Sequence, residues 1–217
     1  MSDIFSEVDE EVRRERLKQL WDKYSLLIIA VAVLIVAGIG GWRAYEYWVA
    51  QKAAAAGAAF ENAVTMSEQG KHAEAQAAFA KVVTEAPAGY AVLARFRAAA
   101  EQAQVKPEDA VKAYDTLAAD ATLGLTWQDL AALRAGLLLV DSASFDDLRK
   151  RLEPLTEPTR VFRHTARELL ALSAWRVRDT AAARRYVELI AADAETPPGA
   201  RTRIEALSAL LAADGKS

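Results

Sequence analysis

Between Lys23 and Arg43 the chain has no charged residue, and the nineteen positions from Tyr24 to Trp42 read YSLLIIAVAVLIVAGIGGW. At a rise of 1.5 Å per residue this run makes a helix roughly 28 Å long, close to the thickness of a bilayer's hydrocarbon core. Leu26, Leu27, Ile28, Ile29, Val31, Val33, Leu34, Ile35 and Val36 put apolar side chains around its whole circumference. A core helix of a soluble protein instead shows one apolar stripe backed by polar residues. Aromatic rings stand at both ends, Trp21 and Tyr24 before the run and Trp42, Tyr45, Tyr47 and Trp48 at its exit. Such amphipathic rings favour the headgroup zone. A transmembrane helix over 24–42 is expected, with Trp42 closing it.

A cleaved signal peptide would have a short basic leader and an apolar run of about 7–15 residues. Here the 23-residue leader carries seven acids and the run is longer, so an uncleaved anchor fits better. Arg13, Arg14, Arg16, Lys18 and Lys23 precede the run, against Arg43 and Lys52 after it. Lys and Arg near the ends set orientation, so the leader is expected in the cytoplasm and the rest across the membrane. The leader, 1–23, shows helical spacing of Phe5, Val8, Val12, Leu17, Leu20 and Trp21, with Ser6 and Asp9 as a capping pair. It reads as an amphipathic juxtamembrane helix on the membrane surface, or else as a cytoplasmic docking handle. A juxtamembrane helix or linker is expected over 43–52 and a folded domain over 53–217. Ala37 and Gly41, four apart, permit close helix packing within the membrane.

Forty-eight alanines, only 6 prolines and 10 glycines, and few β-branched residues outside the span argue for an all-α chain. The formal charge of −3 offers no basic field for nucleic acid. The absence of cysteine excludes disulfides and zinc–thiolate sites. Past Gln51 one pattern recurs: Ala or Leu, then an aromatic or Leu four positions on, then Leu or Val three further. It runs Ala75, Phe79, Val82; Ala110, Tyr114, Leu117; Leu148, Leu152, Leu155; and Ala182, Tyr186, Leu189, in steps of 35, 38 and 34 residues. These steps lie near the roughly 34-residue period of tetratricopeptide repeats. A small residue lets two helices approach, and the ring beyond it fills the space between them. Partner helices are expected at 53–69, 88–104, 127–140 and 159–177. Gly70, Pro87, Pro107, Gly124, Pro154, Pro158 and Pro197-Pro198 punctuate the series. The expected architecture is a right-handed solenoid of about four helical hairpins behind the membrane helix. A last helix over 199–213, with Ile204, Leu207, Leu210 and Leu211, would cap its end.

Nothing in the pattern argues for catalysis, a cofactor, a metal or a small-molecule substrate. His72 reads as a solvated turn residue and His164 as a surface histidine, with no further ligand at metal spacing. The acid pairs Glu108-Asp109 and Asp146-Asp147 fall at helix starts, where they offset the helix dipole. From 131 onward 14 basic residues meet 12 acidic ones, against 7 and 10 over 49–130. The plainer reading of this excess is solvated helix faces. The sharper one is a patch at Arg176, Arg178, Arg184 and Arg185 for an acidic partner or anionic lipid.

Several stretches carry a resemblance: Gly41-Trp42-Arg43 with Tyr47-Trp48 at the exit of the anchor, Ala59-Phe60-Glu61-Asn62-Ala63-Val64, Ser67-Glu68-Gln69-Gly70-Lys71, Tyr90-Ala91-Val92-Leu93-Ala94, and Leu133-Arg134. With the order of anchor, hairpins and cap, they resemble the YfgM-like family of single-pass bacterial inner-membrane proteins. The leader stretch Glu7-Val8-Asp9-Glu10-Glu11-Val12 followed by Trp21 is similar to its alphaproteobacterial branch. Arg178-Asp179 departs from the Gly-Asp turn usual there, and the third copy uses leucines in place of Ala and an aromatic. The resemblance implies a tetratricopeptide-like periplasmic domain and an ancillary role at the Sec translocon. Its partners would be the translocon channel and a membrane-anchored, prolyl-isomerase-like periplasmic chaperone. An accessory or assembly subunit of another membrane complex, respiratory or envelope-building, is the alternative.

Overall fold

The computed structural model describes the backbone of residues 3–214 and the side chains of residues 13–213, Ala88 apart. Among the described residues every regular element is helical: α1 (Asp3–Glu68), α2 (His72–Glu85), α3 (Ala88–Val105), α4 (Pro107–Ala119), α5 (Leu125–Leu139), α6 (Phe145–Leu152), α7 (Arg163–Arg176), α8 (Thr180–Ala191) and α9 (Pro198–Asp214). The chain divides into two compact units, Met1–Ala55 and Ala56–Ser217.

In the first unit the leader, the apolar run and residues 43–52 share the unbroken helix α1. No linker interrupts it, because nothing between Asp3 and Ala55 is a proline and its three glycines fall within the apolar run. The expected contact between Ser6 and Asp9, and the placement of Phe5, Val8 and Val12, lie outside the described side chains. The most apolar window has a mean hydropathy of 2.5 and none of it is buried. Leu26 is 83% exposed and Leu34 71%. A core helix is therefore excluded as the reading of this segment; it is a helix long and apolar enough to cross a membrane. At its exit the rings of Trp42, Tyr45 and Trp48 follow one another at centroid spacings of 6.4 Å. The Lys52 ammonium stands 3.9 Å from the centre of the Trp48 ring.

In the second unit the last turns of α1 pair with α2, α3 with α4, α5 with α6 and α7 with α8, and α9 closes against α8 and α7. Three apolar clusters follow one another. Ala63, Phe79 and Ala94 centre the first, Ala99, Tyr114 and Ala131 the second, and Leu148, Leu170, Tyr186, Ile190 and Ile204 the third. Helices α3 and α5 each supply residues to two successive clusters, so each hairpin's apolar face is completed by the next. Local chemistry sets the stops. Lys106 is extended at φ −145° and ψ 88°, as a residue before proline tends to be, and Pro107 opens α4. Ser144 and Asp179 cap α6 and α8 by accepting from the backbone N–H groups of Asp147 and Ala182 at 3.2 and 2.9 Å.

The third and fourth hairpins differ in detail from expectation. Pro154 ends α6 after eight residues, and a 3₁₀ turn, Glu153–Thr156, carries Leu155 into the core. The fourth hairpin opens at Arg163, since Pro158 keeps the preceding residues irregular. On α8 the inward stripe is Ala183, Tyr186, Val187 and Ile190, whereas Ala182 is half-buried and Leu189 is 39% exposed. Both triplets around Tyr186 satisfy a 3.6-residue period, and packing against α7 and α9 selects the second. On α9, Ile204, Leu207 and Leu211 are buried while Leu210 is exposed.

Candidate functional site

The first helices of the hairpins present a line of rings. Phe60 on α1 stands 5.1 Å from Phe79 and 6.2 Å from Tyr90. Phe96 on α3 stands 5.3 Å from Trp127 on α5 and 6.2 Å from Tyr114 on α4. Phe60, Phe96 and Trp127 are half-buried and line an open groove of about 520 Å³, with Leu93 and Leu130 on its walls. Tyr114 is buried beneath it, and burial raises the pKa of its phenol, keeping it protonated. Arg97 and Arg134, both exposed, border the same groove. Rigid half-buried rings beside exposed guanidinium groups suit contact with another polypeptide.

Among the residues expected to pack the repeats, Ala75, Phe79, Val82, Ala110, Tyr114, Leu117, Leu148, Leu152, Leu155 and Tyr186 are all buried. None faces solvent, so they support the groove without lining it, apart from Tyr114, and Leu117 in a second, shallower pocket of about 310 Å³ formed with Ala80, Val83 and Thr116.

Polar contacts tie neighbouring hairpins together. Arg95 reaches Asp120 at 2.7 Å, Arg160 reaches Asp129 at 3.2 Å and Arg203 reaches Glu168 at 2.8 Å. Tyr186 donates to Glu153, and burial followed by that hydrogen bond pushes its phenol pKa strongly upward. The centre of the network is Asp193, which receives Arg163 at 2.8 Å and Arg167 at 3.0 Å. The hydrogen bond from Arg163 is the main reason its carboxyl lies well below the ordinary carboxylate range. The expected cationic patch belongs largely to this bracing. Arg184 donates to the Leu211 carbonyl at 3.0 Å, Arg185 to Glu153 at 3.0 Å, and Arg176 to the Ala143 carbonyl. Arg178 takes a left-handed backbone, φ 65°, at the turn where glycine is usual.

Both histidines depart from expectation. His72 opens α2 with its Nδ1 2.7 Å from Glu101 Oε2, and Ser67 donates to the other oxygen of that buried carboxylate at 2.7 Å. His164 is buried, its Nε2 3.0 Å from Asp193. Each meets an acid about one repeat away, which local spacing does not reveal. Glu108-Asp109 and Asp146-Asp147 occupy the first turns of α4 and α6. Among the described residues no three His, Asp or Glu side chains gather as a metal-holding group.

A family model described as a tetratricopeptide repeat-like domain matches residues 18–170. The chain belongs to the tetratricopeptide repeat-like family. No curated protein and no solved structure matched it. The tetratricopeptide repeat-like match begins ahead of the apolar run and ends within α7, so the apolar run and the whole aromatic groove fall inside it. The groove itself escaped the sequence pattern, which followed the second helix of each hairpin. Its signal was the placing of Phe60, Phe96 and Trp127 on first helices, in a chain only 8% aromatic.

Proposed function

We propose that the chain is a single-pass inner-membrane scaffold whose leader stands in the cytoplasm and whose repeat domain binds proteins in the periplasm. In this reading it is an ancillary subunit of the Sec translocon that brings periplasmic chaperones to the secretion channel. The observation that carries it is one chain joining an unburied apolar helix to a tetratricopeptide repeat-like domain with an open aromatic groove. The excess of Arg and Lys before the span supports the orientation, and the YfgM-like resemblance supports the translocon role. The mechanism is association without catalysis: the anchor holds the scaffold beside its target at high effective concentration.

Affinity purification of the tagged full-length chain from mild-detergent membranes, with mass spectrometry of what accompanies it, tests the partners. Recovery of the translocon channel with a membrane-anchored chaperone is expected. Recovery of a respiratory or envelope-building complex instead would move the chain to an accessory role there. Because the chain has no cysteine, single cysteines report orientation cleanly. In intact spheroplasts an impermeant maleimide should label Lys106→Cys and leave Ser2→Cys unlabelled, and the reverse pattern would overturn the topology.

A further inference from the structure

From Ala56 onward the chain contains fourteen arginines. Among the described residues all but two have a partner within the fold, either a carboxylate, a backbone carbonyl or another contact. The two exceptions are Arg97 and Arg134, and both border the aromatic groove. Their isolation has a local cause. The acid one turn beyond Arg97 is Glu101, whose carboxylate is buried and already engaged by Ser67 and His72. Arg134 has only Leu130, Ala131, Leu137 and Leu138 at its helical neighbours' positions, none of which can pair with it. Elsewhere in the domain the arginines pair within their own helix or brace one hairpin on another, so two exposed guanidinium groups at one groove with no hydrogen bond or ion pair among the described residues stand apart.

We propose that this groove receives an acidic, apolar segment of another protein. An aliphatic or aromatic side chain of the segment lies against Phe96 and Trp127, and flanking Asp or Glu carboxylates meet Arg97 and Arg134. The proposal rests on the scaffold reading and specifies its ligand chemistry. Planar guanidinium groups donate two parallel hydrogen bonds to a carboxylate, and half-buried rings provide an anchor at low entropic cost. A nucleic acid is disfavoured by the acidic balance of the chain, net charge −3. A lipid headgroup would satisfy the arginines but leave the rings of the groove without a partner.

The full-length chain in mild detergent, incubated on an array of short random peptides, tests this. Captured peptides should be enriched in Asp or Glu beside Leu, Phe or Trp. The double variant R97Q/R134Q should lose capture by about tenfold at low salt, with an unchanged melting temperature because neither side chain makes a hydrogen bond or ion pair among the described residues. A control, R149Q/K150Q, changes two cations on α6 away from the groove and should leave capture as it was. Equal capture of basic and neutral peptides, capture that survives R97Q/R134Q, or no capture at all would each overturn the proposal. If that happens while the purified full-length chain still brings down its membrane partners, the groove chemistry fails and the scaffold stands. If neither peptide nor partner is recovered, both fail.

Discussion

A methyl group built on Gly136 of α5 would stand 2.9 Å from both terminal carbons of Leu152 on α6. Leu152 is fully buried among Leu148, Leu155 and Leu170, so it has little room to retreat. In Gly136→Ala two effects compete. Alanine gains about 1 kcal/mol of helix propensity over glycine, while overpacking a filled core costs about 1–3 kcal/mol. We expect the second to win, with a net loss of about 1 kcal/mol in chemical denaturation of the full chain. Adding Leu152→Val should recover part of that loss, giving a coupled double-mutant cycle. Additive effects would show that Leu152 moves aside freely.

Two helix ends share one geometry with different residues. After α1, Lys71 N–H donates to Met66 and Gly70 N–H to Ser67, with Gly70 at φ 75°. After α7, Asp179 N–H donates to Ala174 and Arg178 N–H to Trp175, with Arg178 at φ 65°. Both are Schellman closures, whose left-handed position suits glycine because a Cβ there meets backbone oxygen. Gly70→Ala should therefore destabilise by about 1 kcal/mol, and Arg178→Gly should stabilise by up to about 1 kcal/mol. Melting curves that move the same way for both would contradict this.

Asp193 predicts an acid-dependent loss of stability. Its folded carboxyl lies below the ordinary range, held chiefly by Arg163. The unfolded chain takes up this proton near pH 4, about the usual value for Asp, and the folded chain only at lower pH. The contribution is thus complete above about pH 4 and drains away as the pH falls below it. The melting-temperature gap between the natural chain and Asp193→Asn should shrink steadily over that acidic range. A constant gap would mean that Asp193 titrates alike in both states.

Two buried polar groups should respond in opposite ways to alanine. Glu101 links α1, α2 and α3 through Ser67 and His72. Its removal takes away the acceptor those two side chains share and should cost about 2 kcal/mol, within the range for hydrogen bonds to a charged group. Ser173 is fully buried on α7 and its hydroxyl has no hydrogen-bond partner among the described residues. Ser173→Ala removes an uncompensated polar group and should be neutral or stabilising by up to about 1 kcal/mol. Denaturation midpoints of the two variants decide the matter; a marked loss in Ser173→Ala would reveal a partner.

Much of the chain was legible from spacing. The helix starts and stops follow Gly70, Pro87, Pro107 and Pro197-Pro198, and the second helices of the first two hairpins bury Phe79 and Tyr114. In the fourth hairpin spacing alone could not choose between Leu189 and Ile190, since each lies one turn from Tyr186. The aromatic groove was hidden for a related reason. Phe60, Phe96 and Trp127 sit on three different helices and become neighbours of one groove only when the hairpins stack.

By itself the amino-acid order determined the apolar helix, the all-helical class and the repeat period. The first two depend on residues within a few turns of one another, through hydropathy along a run and alanine's helix propensity, and the period is the recurrence of one such short pattern along the chain. Only the tertiary structure decided what the charges do. Arg184, Arg185 and His164 looked exposed in the sequence and are engaged with Leu211, Glu153 and Asp193. Arg97 is exposed beside the groove, with no hydrogen bond or ion pair among the described residues. Whether a charge is spent inside the fold depends on acceptors roughly thirty residues away, and stacking one hairpin on the next is what brings them within reach.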